Sequence, residues 1–362
     1  GAGLCPVRGH SNVQGDRTMG IWEKMPKSFH DSLDTHLNFK SPREHGYDVV
    51  ETIHAMEAKK VRFFMALGGN FLSASPDTER TSKAIENCSM TVQISTKLNR
   101  SHCIVGEKAL ILPCLVRSEE DIQENEKQII STENSMGIVQ SSLGIFKPIS
   151  NKLKSEIEIL CKISMKLFPE RSDTFKGFFK NHDQIRNMIE KVIPGFESYN
   201  LRVRERGGFS LPNGPKKREF ETKNGKALFT SNEILKNNYG DDILILQTLR
   251  SHDQFNTTVY GLEDRYRGIH NDRDVIMMNE EDMKSRSIDP LMKVDVVSSY
   301  KGKERHLRNL KAIPYKMPRG ACAAYFPEAN VLVPLDKTAK GSNTPTSKDV
   351  PVRIHQSRNE EI

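Results

Sequence analysis

Between residues 49 and 113 the spacing of apolar positions changes about every ten residues, and each change predicts an element. Val49, Val50, Ile53 and Met56 recur near the helical period, which predicts an amphipathic helix over residues 49–59. Residues 61–67 form an apolar run broken only by Arg62, of strand length, ending at Gly68-Gly69-Asn70. Pro76-Asp77 then opens a helical segment through Asn87. Residues 90–95 and 108–112 read as two further strands, the first running into Thr96-Lys97-Leu98-Asn99-Arg100 and the second ending at Pro113. Strands alternating with helices predict a parallel sheet, whose ligands sit beyond the carboxyl ends of its strands.

Helical spacing returns over residues 153–168, where Leu153, Ile157, Leu160, Cys161 and Phe168 form a stripe interrupted by Ser164. Residues 171–195 carry Phe175, Phe178, Phe179, Ile185, Met188, Ile189 and Val192, a pattern of packing rather than of cofactor contact. Residues 203–225 turn to Arg, Lys, Gly, Pro and Asn, with Gly207-Gly208 and Pro212-Asn213-Gly214-Pro215 as loop signals. A domain boundary is expected there, with residues 1–202 before a linker at 203–227 and residues 228–362 after it. Short β-branched runs follow at 243–249, 275–278, 294–299, 321–326, 331–335 and 350–354, a spacing that suggests an all-β barrel.

Composition narrows the function classes. The 362 residues hold 54 Lys and Arg against 47 Asp and Glu, a net charge of +7 that suits either nucleic acid or a polyanionic cofactor. The densest basic run, Lys216-Lys217-Arg218, has no interleaved aromatic residues, which argues against a nucleic-acid partner. Six cysteines without a Cys-x-x-Cys spacing build no local zinc or iron–sulfur run and read as reduced thiols, so no metal ligand is assigned. No stretch approaches the ~18 apolar residues of a membrane span, and the first residues do not form a signal peptide. A cytoplasmic protein is expected.

Two stretches carry chemistry. Residues 1–20 contain five glycines mixed with Arg8, His10, Asn12 and Gln14, a loop whose backbone can approach a ligand while amide and guanidinium donors face it. Residues 241–256 deliver Thr248, Arg250, His252, Gln254 and Asn256, with Thr257 following, at alternating positions as an apolar strand ends. That burst suits a polar, phosphate-bearing ligand.

The first stretch, Cys-Pro-Val-Arg-Gly-His-Ser-Asn-Val-Gln-Gly, closely resembles the Asn-Pro-x-Arg-Gly-Gln-Asn-Asn-Val-Gln-Gly loop of molybdenum formate dehydrogenases in the dimethyl-sulfoxide-reductase superfamily. Its version here is similar to that of the formate-dehydrogenase-like molybdopterin oxidoreductase alpha subunits. Weaker likenesses follow in the same order: Gly68-Gly69-Asn70 with Pro76-Asp77, Ala109-Leu110-Ile111-Leu112-Pro113, the 248–257 burst, Tyr325 to Leu332, and Ser342 to Lys348. The resemblance implies an α/β fold: a parallel-sheet, Rossmann-like domain followed by a C-terminal double-psi β-barrel that grips bis-molybdopterin guanine dinucleotide. It implies cofactor contacts at Asn12, Gln14, Gly15, Gly69, Asn70, Asp77, Thr96, Thr248, Arg250, His252, Gln254, Asn256, Thr257, Asn330, Ser342, Asn343 and Lys348.

The reaction so implied is a two-electron oxidation of formate or another small anion, with Arg8 pairing the carboxylate and His10 beside it. His10 stands where the dehydrogenases have Gln, and Cys5 where they have Asn, so the substrate shell differs. The chain reads as a C-terminal portion, inactive alone, with the molybdenum ligand upstream; the resemblance also allows an upstream 4Fe-4S cluster and an electron-transfer partner. The alternative is a protein that holds the cofactor for storage or regulation without turning over substrate.

Overall fold

The computed structural model describes residues 12–233, 239–257 and 259–357, so Cys5, Arg8 and His10 lie outside the described residues. The chain folds as two compact units, each assembled from two stretches: residues 1–46 with 113–234, and residues 47–112 with 235–362. The 203–227 stretch lies inside the first of these. Among the described residues no helix is long and apolar enough to cross a membrane.

In the second unit, the helix Val49–Glu57 starts at a capping box: the Asp48 carboxylate accepts from the Glu51 amide at 2.9 Å and the Glu51 side chain accepts from the Asp48 amide at 3.0 Å. Its buried side, Val50, Ile53, Ala55 and Met56, packs with Leu72, Ala84, Ile85 and Cys88. Strands Phe63–Leu67 and Met90–Ser95 pair in parallel in the register Met65 opposite Val92, and Lys108–Pro113 completes a three-stranded sheet. The helix Thr78–Glu86 connects the first two strands, the βαβ arrangement that the apolar spacing predicts.

The barrel is closed by six strands in the order Val275–Met278, Lys303–Pro314, Lys293–Tyr300, Val350–Gln356, Leu244–Leu249 and Ala321–Tyr325. Two neighbouring pairs are parallel, Val275–Met278 with Lys303–Pro314 and Ala321–Tyr325 with Leu244–Leu249; the other pairs are antiparallel. Alternate residues point inward, so Leu244, Leu246, Ile276, Met278, Val294, Val296, Leu310 and Ala312 meet in one core. The α/β sheet and closed barrel give the fold class expected from the sequence.

Two expectations in the barrel are corrected. Residues 331–335 are not a strand: Glu328–Leu332 is a 3-10 turn, and the carbonyls of Asn330 and Val333 both accept from the Asp77 amide at 3.0 Å instead of joining a barrel ladder. Lys303–Pro314, at 12 residues the longest strand among the described residues, was not expected, because its buried positions Arg305, Leu310 and Ala312 include a charged residue and change parity at an irregularity where Asn309 takes φ 61°, so no alternation runs through it. It forms a hairpin with Lys293–Tyr300 through Lys301-Gly302, both at positive φ (50° and 76°), the primed turn that suits strand twist.

The first unit packs the helices Lys27–Leu37, Glu156–Leu167, Ser172–Lys180 and His182–Val192 with a three-stranded antiparallel sheet. Val139, Val192, Phe196, Tyr199, Val203 and Phe209 form its core. The 153–168 stripe is only partly inside: Cys161 is buried, whereas Phe168 is about half exposed just past the helix end. The loop expected over residues 1–20 turns helical at Val13–Thr18, where Thr18 Oγ1 donates both to the Gln14 carbonyl at 3.0 Å and to Glu133 Oε2 at 2.7 Å.

Candidate functional site

The carboxyl ends of the two parallel strands open onto a cavity of about 630 Å³ in the second unit. Asn70 reaches it from the turn after Phe63–Leu67, and Lys97, Asn99 and Arg100 from the turn after Met90–Ser95; Thr257, Tyr260, His306 and Glu328 line it from the barrel. The two sheet turns are fastened together. Asn99 Nδ2 donates to the Gly69 carbonyl at 2.7 Å, and Ser101 Oγ donates to Asn70 Oδ1 at 2.7 Å. Gly68 and Gly69 both take positive φ (67° and 71°), which lets the strand end turn back without a side-chain clash.

Barrel and sheet are tied by buried polar contacts. Arg305 Nε and Nη2 donate to Asp77 Oδ2 at 2.9 and 2.6 Å, and Asn330 Nδ2 donates to the Ser73 carbonyl at 2.8 Å. Asn343 Nδ2 donates to Asp48 Oδ2 at 2.9 Å, at the start of the helix Val49–Glu57. Around the cavity Glu328 is neutralised by Arg273, whose Nε and Nη2 lie 2.7 and 3.0 Å from its oxygens. Lys97 and Arg100 pair with no carboxylate among the described residues and outnumber Glu79, the other carboxylate in the lining, so the cavity is weakly positive.

The strand Leu244–Leu249 ends in a second cationic group. The Thr248 amide donates to the Ser347 carbonyl at 3.0 Å, and the Lys348 ammonium returns to donate to the Thr248 carbonyl. Loss of solvent and then the Arg250 guanidinium pull the Lys348 ammonium below the ordinary lysine range. Arg250 stacks over Phe326 with 5.2 Å to the ring centroid. Gln254 is held on both ends: Nε2 donates to the Asn256 and Phe326 carbonyls at 2.7 Å, and Oε1 accepts from the Ser251 amide at 3.0 Å. Asn256 takes φ 50° as the chain turns to the buried Thr257.

His252 rests against Tyr266, ring centroids 4.5 Å apart, and its Nδ1 lies 3.0 Å from Asp264 Oδ1. Burial works against the Asp264 charge, but hydrogen bonds from Arg267, Tyr325 and His252 outweigh it and hold the carboxyl below its usual range. Burial and that neighbouring carboxylate push the Tyr325 phenol well up.

Of the residues carried over from the resemblance, the structure brings Asn70 and Thr257 to one cavity and Thr248, Arg250 and Lys348 to one strand end. Thr96 is exposed just beyond Met90–Ser95, and Ser342 is exposed on the loop that carries Asn343. Asn12, Gln14 and Gly15 belong to the first unit. There Asn12 Oδ1 accepts from the Glu133 amide at 3.0 Å, Gln14 Nε2 donates to the carbonyls of Glu133 (3.2 Å) and Asn134, and buried Gly15 leaves room for Asn12 Oδ1. The sequence reading did not single out Lys97, Arg100, His306, Asp264 or Arg267. Position just past a parallel strand was the available signal for the first two, and acid–base spacing of three for the last two. Among the described residues no group of three or more His, Cys, Asp or Glu side chains is arranged to hold a metal ion.

Residues 244–351 match the family model described as the molydopterin dinucleotide binding domain. An uncharacterized oxidoreductase of Mycobacterium tuberculosis is 48% identical over 361 residues, covering 98% of this chain and 46% of the relative. Protein YdeP of Escherichia coli is 38% identical over 363 residues, covering 99% of this chain and 48% of the relative. The chain therefore spans about half the length of the curated relatives it matches. Acetylene hydratase from Pelobacter acetylenicus superposes with a TM-score of 0.60 over 91% of this chain and 50% of its own, at 14% identity, a likeness of fold.

Proposed function

We propose, for a chain whose residues 244–351 are a molydopterin dinucleotide binding domain, that it is the cofactor-gripping portion of a cytoplasmic molybdopterin oxidoreductase acting on formate or another small anion. The observation that carries this reading is the strand end where Arg250 and Lys348 are held near each other, with no carboxylate partner among the described residues. Like charges kept together in this way lower their mutual cost when an anion joins them, and a guanidinium beside an ammonium suits a pyrophosphate. The residues present thus fit a polyanionic dinucleotide.

When bound, the molybdenum–pterin group supplies two-electron chemistry with substrate. This chain's part is binding and placement: Arg250 and Lys348 meet phosphate, Asn70 and Thr257 offer polar contacts from the cavity wall, and Lys97 and Arg100 keep that cavity positive. The bis-molybdopterin guanine dinucleotide form, the formate-like substrate and an electron-transfer partner rest on the resemblance of residues 5–15 to formate dehydrogenases, as do Arg8 and His10 as substrate-shell residues. An upstream 4Fe-4S cluster rests on the same likeness.

The test is molybdenum content and formate-dependent dye reduction in the full-length protein. Metal retained with formate turnover supports the proposal. Metal retained with no turnover of formate, nitrate or other small anions points to the storage or regulatory role. Absence of molybdenum and pterin from protein purified after expression with molybdate overturns it.

A further inference from the structure

Next to the Arg250 backbone, one carboxylate almost out of reach of solvent links three groups, Tyr325, Arg267 and His252. The Asp264 side chain is 1% exposed. Its Oδ2 accepts from the Tyr325 hydroxyl at 2.9 Å and from Arg267 Nη1 at 2.5 Å, while Oδ1 lies 3.0 Å from His252 Nδ1. Arg267 Nη1 also donates to the Arg250 carbonyl at 3.1 Å and lies 3.3 Å from His252 Nδ1.

Counting hydrogens resolves the imidazole. A guanidinium Nη carries two, and the shorter contacts of Arg267 Nη1, to Asp264 Oδ2 and the Arg250 carbonyl, use both. Nothing is left for it to donate to His252 Nδ1. That nitrogen is therefore the donor, and Asp264 Oδ1 the acceptor. In the neutral ring the lone pair then sits on Nε2, and no group among the described residues bonds Nε2 of this half-exposed side chain.

We infer that Asp264 is a positioning residue that fixes His252 as a hydrogen-bond acceptor at Nε2. An acceptor repels phosphate oxygen, so His252 takes an N–H or hydroxyl of the nucleoside part of the ligand, while Arg250 and Lys348 take its phosphates. This rests on the reading of the strand end as a nucleotide-phosphate site. A single substitution inverts the device. In Asp264→Asn the amide oxygen stays where two donors, Tyr325 and Arg267, converge, and its NH₂ faces Nδ1; the ring must then carry its proton on Nε2 and become a donor.

The experiment uses the full chain with ¹⁵N-labelled histidine. The wild type is expected to show His252 protonated at Nδ1 and unprotonated at Nε2, and Asp264→Asn to show the reverse. Guanosine diphosphate should bind Asp264→Asn ~3- to 10-fold more weakly, the size of one hydrogen bond, and inorganic pyrophosphate less than ~2-fold more weakly. Tyr325→Phe, which leaves Oδ1 untouched, should keep the wild-type tautomer. An Nε2–H ring in the wild type overturns the assignment, as does an equal loss for both probes. If Asp264→Asn does not fold, the wild-type tautomer decides alone. If the wild type binds neither probe, the phosphate-site reading fails, and the tautomer still tests Asp264.

Discussion

Removing the Arg305 guanidinium would strand the Asp77 carboxylate where water scarcely reaches, since the two side chains are 7% and 10% exposed. Breaking a buried pair from one side costs more than the pair is worth, so Arg305→Ala is expected to lower stability by ~3–5 kcal/mol, read from urea unfolding. Asp77 was visible in the sequence through its likeness to a cofactor loop, but Arg305 was not, because it lies 228 residues away as a charged residue on the buried side of a strand with broken alternation. The same limit hid Arg267, whose task is set by contacts and not by motif. Arg8 shows the converse. Its motif is the clearest in the chain, and only kinetics can weigh it. In the full-length protein Arg8→Lys is expected to cut carboxylate turnover ~10-fold or more, because an ammonium cannot replace a bidentate fork, with molybdenum content unchanged. Equal kinetics would remove Arg8 from the substrate shell.

Elements marked by a helical period or by a short run of strand composition were legible from the sequence alone. The helix Val49–Glu57 and the strands Phe63–Leu67, Met90–Ser95 and Val275–Met278 fall within about two residues of their expected bounds: burial on one face writes the period of the helix into the sequence, whereas the strands, two of them buried almost throughout, show as short runs rich in apolar and β-branched residues. Where hydrogen bonds to another element decide conformation, spacing misleads. Residues 331–335 have strand composition, yet the Asp77 amide draws the Val333 carbonyl, and that of Asn330 just before the stretch, away from the barrel. Gly207-Gly208 read as a loop signal, whereas Gly208 marks a fixed approach of two strands. It sits at φ 67° before Phe209–Ser210, and a Cβ there would stand 1.9 Å from the Val139 carbonyl oxygen. Backbone cannot yield as a side-chain tip can, so Gly208→Ala should destabilise the first unit by at least ~2 kcal/mol. Hydrogen exchange would show it as earlier opening at Val139 and Phe209; unchanged protection would contradict the contact.

At the scale of the molecule, the sheet of residues 47–112 and the barrel of residues 235–362 are one unit although more than a hundred residues separate them in sequence. A charged quartet helps to join them. Arg80 Nε and Nη2 meet Glu57 at 2.5 and 2.8 Å, Arg80 Nη1 meets Asp336 Oδ2 at 2.7 Å, and His54 lies 3.1 Å from Glu57 and 3.0 Å from Asp336. Burial opposes the charge on both carboxylates, but the Arg80 hydrogen bonds and charge, with His54 beside them, win and hold both below their usual ranges. A carboxylate depressed in the folded state binds fewer protons than it does unfolded, so its contribution is complete above the ordinary carboxylate range and is lost as pH falls through the folded value. The unfolding free energy of the second unit should therefore decline below about pH 4.5, and less steeply in Arg80→Met, where the carboxylates titrate nearer their ordinary values. Because the quartet spans sheet and barrel, amides of Ile94 in the sheet and Leu246 in the barrel should lose protection together on acidification of the wild type. Separate loss of the two, or an identical acid slope in Arg80→Met, would mean that the quartet does not couple sheet to barrel and that the Arg305–Asp77 pair, the Asn330 and Asn343 hydrogen bonds and apolar packing join them without it.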